Sequence, residues 1–174
     1  MGRAESQEPV KLICGLLAGA SEWLDRAKEV LSGQFGPIDH ESEVIPFDFT
    51  AYYQKELGPE IIRQYISFKN LIDPGDLASI KLTTNRMEED LSVDGVRKVN
   101  LDPGYLDLSK MVLATTKDAT YRVYLADGIS GQSTYYFQGG TYNPWEWTYA
   151  DYRTEPSISF FNRVRSEYKK LVRA

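Results

Sequence analysis

A short apolar run near the beginning of the chain, Val10 to Leu17, constrains the fold most. Lys11 is the one charged residue within it, and Gly15 lies near its end. Eight residues are far too few to cross a membrane, but they have the length of a strand that is buried inside a sheet. We therefore expect this run to be a central strand, with further strands on both sides.

The next hundred residues alternate between helix and strand patterns. Apolar residues recur at helical spacing after Ser21, and Asp73-Pro74 is a typical helix start that precedes a second such face. Strand-like stretches are Ser42 to Phe49, Tyr65 to Phe68 and Val96 to Leu101. Residues 10–105 thus read βαββαβ, which predicts a ferredoxin-like, four-stranded sheet with both helices on one face.

Residues 106–174 form an aromatic-rich extension, because fourteen of the 22 Phe, Trp and Tyr residues lie after residue 100. We expect a turn at Asp102-Pro103-Gly104 and a short helix from Leu108 to Thr116. A hairpin of Tyr121–Leu125 and Ser133–Phe137 follows, and Thr154 precedes a final helix. The predicted fold class is therefore α+β: a ferredoxin-like part extended by a C-terminal β-hairpin and a final helix.

Length and charge limit the domain organisation and the partners. With 174 residues, one α+β domain over residues 10–174 is expected, preceded by a disordered polar tail over residues 1–9. A formal net charge of −5 makes nucleic acid an unexpected partner. The chain has no apolar stretch near 18 residues and begins with polar residues, so we expect no membrane span, no export and a cytoplasmic location.

Several common chemistries have no motif in this chain. It contains no phosphate-binding G-x-x-x-x-G-K-[ST] loop, no G-x-G-x-x-G and no G-x-S-x-G. His40 is the only histidine, in an acidic segment where an exposed loop residue is expected rather than a catalytic base. Cys14 is the only cysteine, which rules out a disulfide framework and makes a zinc site improbable.

Four segments combine aromatic, hydroxyl and charged residues at expected strand ends or in loops, where functional residues are common. We expect these segments to converge on one pocket that binds a small anionic molecule, phosphorylated or nucleotide-like, with Lys117 and Arg153 holding the anion. Their carboxylates would suit Mg²⁺ if they met within about 5 Å. The simpler interpretation is that they cap turns and cover the surface. The candidate binding residues are Asp48, Asp102, Tyr105, Lys117, Asp118, Asp151 and Arg153.

A second hypothesis needs no ligand. The aromatic-rich hairpin would then be a surface for another protein or for a second copy of the chain, which makes the protein a non-enzymatic interaction or homodimerisation module. The residues alone do not decide between a binding protein, an enzyme such as a metal-dependent hydrolase, and this module.

The chain resembles a family of uncharacterised prokaryotic proteins, domain of unknown function 4416. The resemblance runs from about Pro9 to Leu171. The family has no established activity, so the resemblance implies no catalytic residues. The motifs that carry it are Lys11–Leu17, Phe35–Asp39, Pro46–Thr50 with Tyr52-Tyr53, Leu71–Pro74, Val99–Tyr105, Leu113–Asp118, Trp147–Tyr149 and Asp151–Arg153.

Overall fold

A computed structural model describes residues 2–3 and 5–173 of the chain. The described residues form nine strands and four helices, with short 3₁₀ turns before the third and fourth helices. The strands are β1 (Val10–Ala18), β2 (Ile38–Glu41), β3 (Ile45–Pro46), β4 (Ile62–Ile72), β5 (Val99–Leu106), β6 (Lys110–Thr115), β7 (Val123–Ala126), β8 (Ile129–Gln138) and β9 (Thr141–Pro144). The helices are α1 (Ser21–Phe35), α2 (Gln54–Leu57), α3 (Leu77–Asp90) and α4 (Glu155–Val172).

All nine strands belong to one open sheet, and every pairing in it is antiparallel. The order across the sheet is β2-β4-β1-β5-β6-β8-β7, while β3 also pairs with β4 and β9 with β8. The expected mixed α+β class is confirmed. The predicted hairpin is β7 with β8, and the predicted final helix is α4.

The central strand β1 is buried on both faces, as its apolar run predicts. Leu12 and Leu16 point to one face, where they pack with Leu24 of α1 and Ile80 of α3. Ile13 points to the other face because side chains alternate along a strand. Helices α1 and α3 therefore cover one face of the sheet.

Helix α4 covers the other face with an aromatic cluster. Phe161 and Tyr168 of α4 pack there against Tyr65 of β4 and Tyr135 of β8, together with Ile13 of β1. Most rings of this cluster come from the C-terminal third of the chain. The surplus of aromatic residues after residue 100 thus supplies the core between α4 and the sheet.

Two local predictions are wrong at the junction of β5 and β6. Asp102-Pro103-Gly104 does not form a turn but lies within β5, paired with β1. The turn is made by Asp107, whose Oδ1 accepts hydrogen bonds from the backbone N–H groups of Ser109 and Lys110 at 2.7 and 2.8 Å. Residues 108–116 therefore contain strand β6 instead of a helix, because an Asx-type turn sends the chain back along β5.

The pairing of β5 with β6 ends early, and this opens the sheet. Gly104 pairs with Leu113, but the residues before Gly104 and after Leu113 have no partner on the opposite strand. Ala114 and Thr115 continue to pair with β8 instead. Pro103 is tolerated here because it lacks a backbone N–H and the β6 ladder has already ended.

The described residues before Val10 contribute no helix or strand. Residues 2–3 and 5–9 are exposed, and Met1 and Ala4 of the expected tail lie outside the described residues. None of the helices over residues 2–3 and 5–173 combines the length and apolarity that crossing a membrane requires.

Candidate functional site

A cleft of about 600 Å³ lies where β5 and β6 separate. Its floor comes from α3, from the first half of β5 and from the end of β6. Its rim is built by the loop after α3, by Lys117 and Tyr149, and by four residues around α2: Tyr52, Tyr53, Lys55 and Glu56. A volume of this size suits a small-molecule ligand.

The floor contains a buried lysine. Lys81 of α3 is 7% exposed, and its ammonium donates one hydrogen bond, to the backbone oxygen of Leu101 at 2.8 Å. It forms no ion pair with any carboxylate of residues 2–3 and 5–173. A buried ammonium has three donors and normally needs an anion or several acceptors. Lys81 therefore presents unused donor capacity to the cleft.

A second unused donor belongs to the same lining. Gln132 of β8 is 1% exposed, and its amide oxygen accepts a 2.9 Å hydrogen bond from Nε of Arg122. Its amide nitrogen is buried and has no partner among the described residues. Because an unpaired buried amide is unfavourable, an acceptor from a ligand would stabilise this corner of the cleft.

Behind the cleft, two carboxylates share one arginine. Arg63 of β4 donates to Asp151 from Nε at 2.8 Å and from Nη2 at 2.7 Å, and to Asp102 from Nη1 at 3.2 Å. The side chains of Arg63 and Asp151 are each 4% exposed, whereas that of Asp102 is 24% exposed and lines the cleft. Burial disfavours the charged form of Arg63, but Asp151, Tyr152, Tyr65 and Asp102 together outweigh this, and the pKa of the guanidinium is raised well above its usual value.

Only a glycine in β1 leaves room for this arrangement. A Cβ atom on Gly15 would lie 2.4 Å from the hydroxyl of Tyr152 and 2.9 Å from Nη1 of Arg63. Tyr152 is fully buried, and its hydroxyl has no hydrogen-bond partner among the described residues. Gly15 thus allows Arg63 to lie across the sheet toward Asp102.

A second ion-paired arginine forms the rim. Arg97 donates to Glu56 of α2 at 2.8 Å and to Glu88 of α3 at 3.0 Å, and also to the side-chain oxygen of Asn100 at 3.0 Å. Burial raises the pKa of the Glu88 carboxyl, although Lys81 and Arg97 act in the opposite direction. Arg97 therefore links α2 to α3 across one end of the cleft.

Tyrosines and Lys117 also line the rim. The ammonium of Lys117 lies 4.4 Å from the centre of the Tyr52 ring and donates to its hydroxyl at 3.3 Å. Burial and the charge of Asp102 raise the pKa of Tyr53, and burial likewise raises the pKa of Tyr149. These phenols remain protonated at neutral pH and act as hydrogen-bond donors or ring surfaces.

The family model described as Domain of unknown function (DUF4416) matches residues 8–168, which is more than half of the chain. The chain belongs to the DUF4416 family. This confirms the resemblance seen in the sequence. No curated protein and no solved structure matches the chain.

The structure separates the seven candidate residues of this family member into three groups. Asp102 and Lys117 line the cleft, and Asp151 lies directly behind it on Arg63. Tyr105 is half-buried and packs against the cluster of Leu77, Ala78, Ala114 and Ile129. The other three are exposed and lie outside the cleft lining: Asp48, Asp118, which accepts a 2.8 Å bond from the N–H of Ala119, and Arg153, which donates to the oxygen of Glu146 at 3.1 Å.

The four aspartates do not assemble a metal site. Within residues 2–3 and 5–173, no three His, Cys, Asp or Glu side chains are placed to hold one ion. Asp102 and Asp151 meet on a guanidinium instead, which already neutralises part of their charge.

Sequence reasoning missed Lys81, Arg63 and Gln132. Lys81 lies on the predicted apolar face of α3, between Leu77 and Thr84, and a charge at such a position is the signal that could have revealed it. Arg63 and Gln132 have no such signal, because polar residues are ordinary in strands of an antiparallel sheet.

Proposed function

We propose that this protein binds a small anionic molecule in the cleft between β5 and β6. What supports the proposal is Lys81: an ammonium buried in the floor of a concave site, with one protein acceptor and no carboxylate partner among the described residues. A phosphate or carboxylate would supply the missing acceptors and a negative charge within ion-pair distance, since Glu88 acts on Lys81 only from farther away. Lys117 at the rim and the unpartnered nitrogen of Gln132 suit the same anion.

The test is binding of inorganic phosphate and simple phosphomonoesters, measured by calorimetry and by thermal unfolding. We expect saturable binding and a rise in Tm, because a ligand that binds only the folded state stabilises it. Lys81→Met keeps the apolar stem of the side chain but removes the charge, and it should weaken phosphate binding about tenfold or more.

The matched control is Lys69→Met, since Lys69 is an exposed lysine of β4 outside the cleft lining. It should bind phosphate as the wild type does. Equal binding by wild type and Lys81→Met, or no binding of any of these anions, would contradict the proposal.

Homodimerisation is a second candidate, and one observation favours it. Strand β7 is an edge of the sheet, and its Val123 and Tyr124 are 70% and 67% exposed. An apolar, unpaired edge is a surface on which a second copy can pair. Light scattering tests this: a dimer that Tyr124→Lys dissociates is expected, and a monomer at all concentrations contradicts it.

We propose further that residues 10–105 have the ferredoxin-like topology. The strand order β2-β4-β1-β5, with α1 and α3 packed on one face, supports it. An experimental structure provides the test: it should have right-handed crossovers through both helices.

A further inference from the structure

Asp102 has an oxygen that the protein does not use. Its Oδ2 accepts hydrogen bonds from Nη1 of Arg63 at 3.2 Å and from the side-chain nitrogen of Asn100 at 3.0 Å. Its Oδ1 has no hydrogen bond among the described residues, although the carboxylate lines the cleft. The protein therefore holds one oxygen rigidly and leaves the other available to a donor.

The charge around Asp102 favours a cationic donor. Two carboxylates, Asp102 and Asp151, share the single guanidinium of Arg63, so this cluster carries a formal net charge of −1. Asp151 takes two of the three hydrogen bonds that Arg63 makes to them, which leaves Asp102 the less neutralised of the two. An ammonium group on a ligand would balance this charge better than a neutral hydroxyl would.

The side chains of Lys81 and Asp102 line the cleft from opposite faces of β5. The ammonium of Lys81 bonds to Leu101, whose side chain packs on the face that carries α3. Asp102 is the next residue, so its side chain projects to the other face, toward Arg63. The cleft thus presents a positive and a negative group on either side of one strand, at neighbouring residues of β5.

From this pairing we infer that the ligand is a zwitterion, with an anionic group on Lys81 and a protonated amine on Oδ1 of Asp102. Asp102 is then the residue that determines specificity. The inference rests on the proposed anion site. It agrees with the lining as a whole, in which the basic and acidic side chains are equal in number, so that the cleft is formally neutral. A neutral cleft favours a dipolar ligand over a polyanion.

The test compares phosphates that differ only in the amine. O-phosphoethanolamine is measured against ethyl phosphate, and 3-aminopropyl phosphate against propyl phosphate, by NMR titration of the full-length protein. For the amine of the better-fitting length we expect binding about tenfold tighter than for its alkyl partner. 2-Hydroxyethyl phosphate should also bind tighter than ethyl phosphate, but by a smaller factor than O-phosphoethanolamine does.

Asp102→Asn is the decisive variant. Its carbonyl oxygen still accepts from Arg63 and Asn100, while an NH₂ group replaces Oδ1, and Asp151 still pairs with Arg63. It should lose the preference for the amine, while ethyl phosphate binds at least as tightly as to the wild type because a negative charge near the anion is removed, with a Tm that verifies folding. Any of three results overturns the inference. The amine binds no tighter than its alkyl partner at either length, the hydroxyl raises the affinity as much as the amine does, or Asp102→Asn keeps the preference for the amine. If the alkyl phosphates themselves do not bind, the proposed anion site fails instead.

Discussion

Among single residues, Lys11 is the least expected in its position. It is 1% exposed within the central strand, where its ammonium forms an ion pair with Asp39 of β2. Ser67 of β4, the strand between them, donates to the other oxygen of Asp39 at 2.6 Å. A buried charge is tolerated only when its partner and its hydrogen bonds are in place. Asp39 therefore makes Lys11 compatible with the core.

Asp39→Asn should destabilise the protein by about 3–5 kcal/mol, because it leaves the Lys11 ammonium buried without its counter-charge. Urea unfolding at pH 7 measures this loss. The control is Asp25→Asn, which removes one of the two carboxylate partners of Lys28, at a side chain that is 70% exposed, and should leave the free energy of unfolding nearly unchanged. A similar small effect for both variants would show that Lys11 does not depend on Asp39.

The same pair predicts a pH dependence. Burial tends to raise the pKa of Asp39, but Lys11, Ser67 and His40 together outweigh it and hold that pKa below its usual 3.8. The folded state therefore binds the proton more weakly than the unfolded state does. The stabilisation is present above pH 3.8 and is lost as the pH falls through the folded-state pKa.

We expect the stability advantage of the wild type over Asp39→Asn to be constant near neutral pH and to shrink below about pH 4. Urea titrations at several pH values check this. If the stability advantage of the wild type grew on acidification, the pKa of Asp39 would be raised by folding and not lowered.

Among the elements, β5 and β6 determine where the cleft forms. Their ladder ends at Gly104 and Leu113, and a Cβ atom on Gly104 would lie only 2.3 Å from the backbone oxygen of Val112. The backbones of Gly104 and Val112 thus approach each other so closely that only glycine fits at position 104. Beyond this close approach β5 and β6 separate, and the cleft begins.

Gly104→Ala should lose about 1–3 kcal/mol of stability, because the added methyl group must push β6 away. Thermal and urea unfolding measure this loss. The control, Gly33→Ala on the exposed side of α1, meets no atom within 4 Å and should instead stabilise the protein by about 0.5–1 kcal/mol. Equal effects of the two variants would refute the close approach.

At this scale the sequence predicts some elements well and others poorly. The apolar run of β1, the helix start at Asp73-Pro74 and the hairpin of β7 and β8 are visible because neighbouring residues determine them. Asp102-Pro103-Gly104 has the composition of a turn, yet pairing with β1 holds it extended. Long-range ladder formation overrides the local preference there.

In the whole molecule, α4 closes the aromatic core. Phe160, Phe161, Val164 and Tyr168 are buried against the sheet. Each contributes roughly 1.5–3 kcal/mol, and their sum is comparable to the total stability of about 5–15 kcal/mol that domains of this size have. The sheet therefore depends on a helix that comes last in the sequence.

A chain that ends at Arg153 should lack a cooperative thermal transition and should bind the dye ANS, because the aromatic face of the sheet is then exposed. Calorimetry and ANS fluorescence measure these outcomes. Deletion of residues 1–7 is the matched control: those of them that the structure describes are exposed and belong to no helix or strand, so the transition should remain. A cooperative transition in the chain without α4 would contradict the dependence.

The sequence by itself determines that the chain is α+β, with a buried first strand and an aromatic C-terminal third, since helix and strand periodicity depends on residues a few positions apart. The tertiary structure alone decides the site. Arg63 and Asp151 are 88 residues apart in the chain, and they meet only because the segment before α4 packs on the face of β4 that carries Arg63. Lys81 faces a cleft instead of the core because β6 leaves β5 at Gly104. No local pattern encodes the ion pair of Arg63 and Asp151 or the cleft in front of Lys81, because both depend on how distant strands and helices pack together.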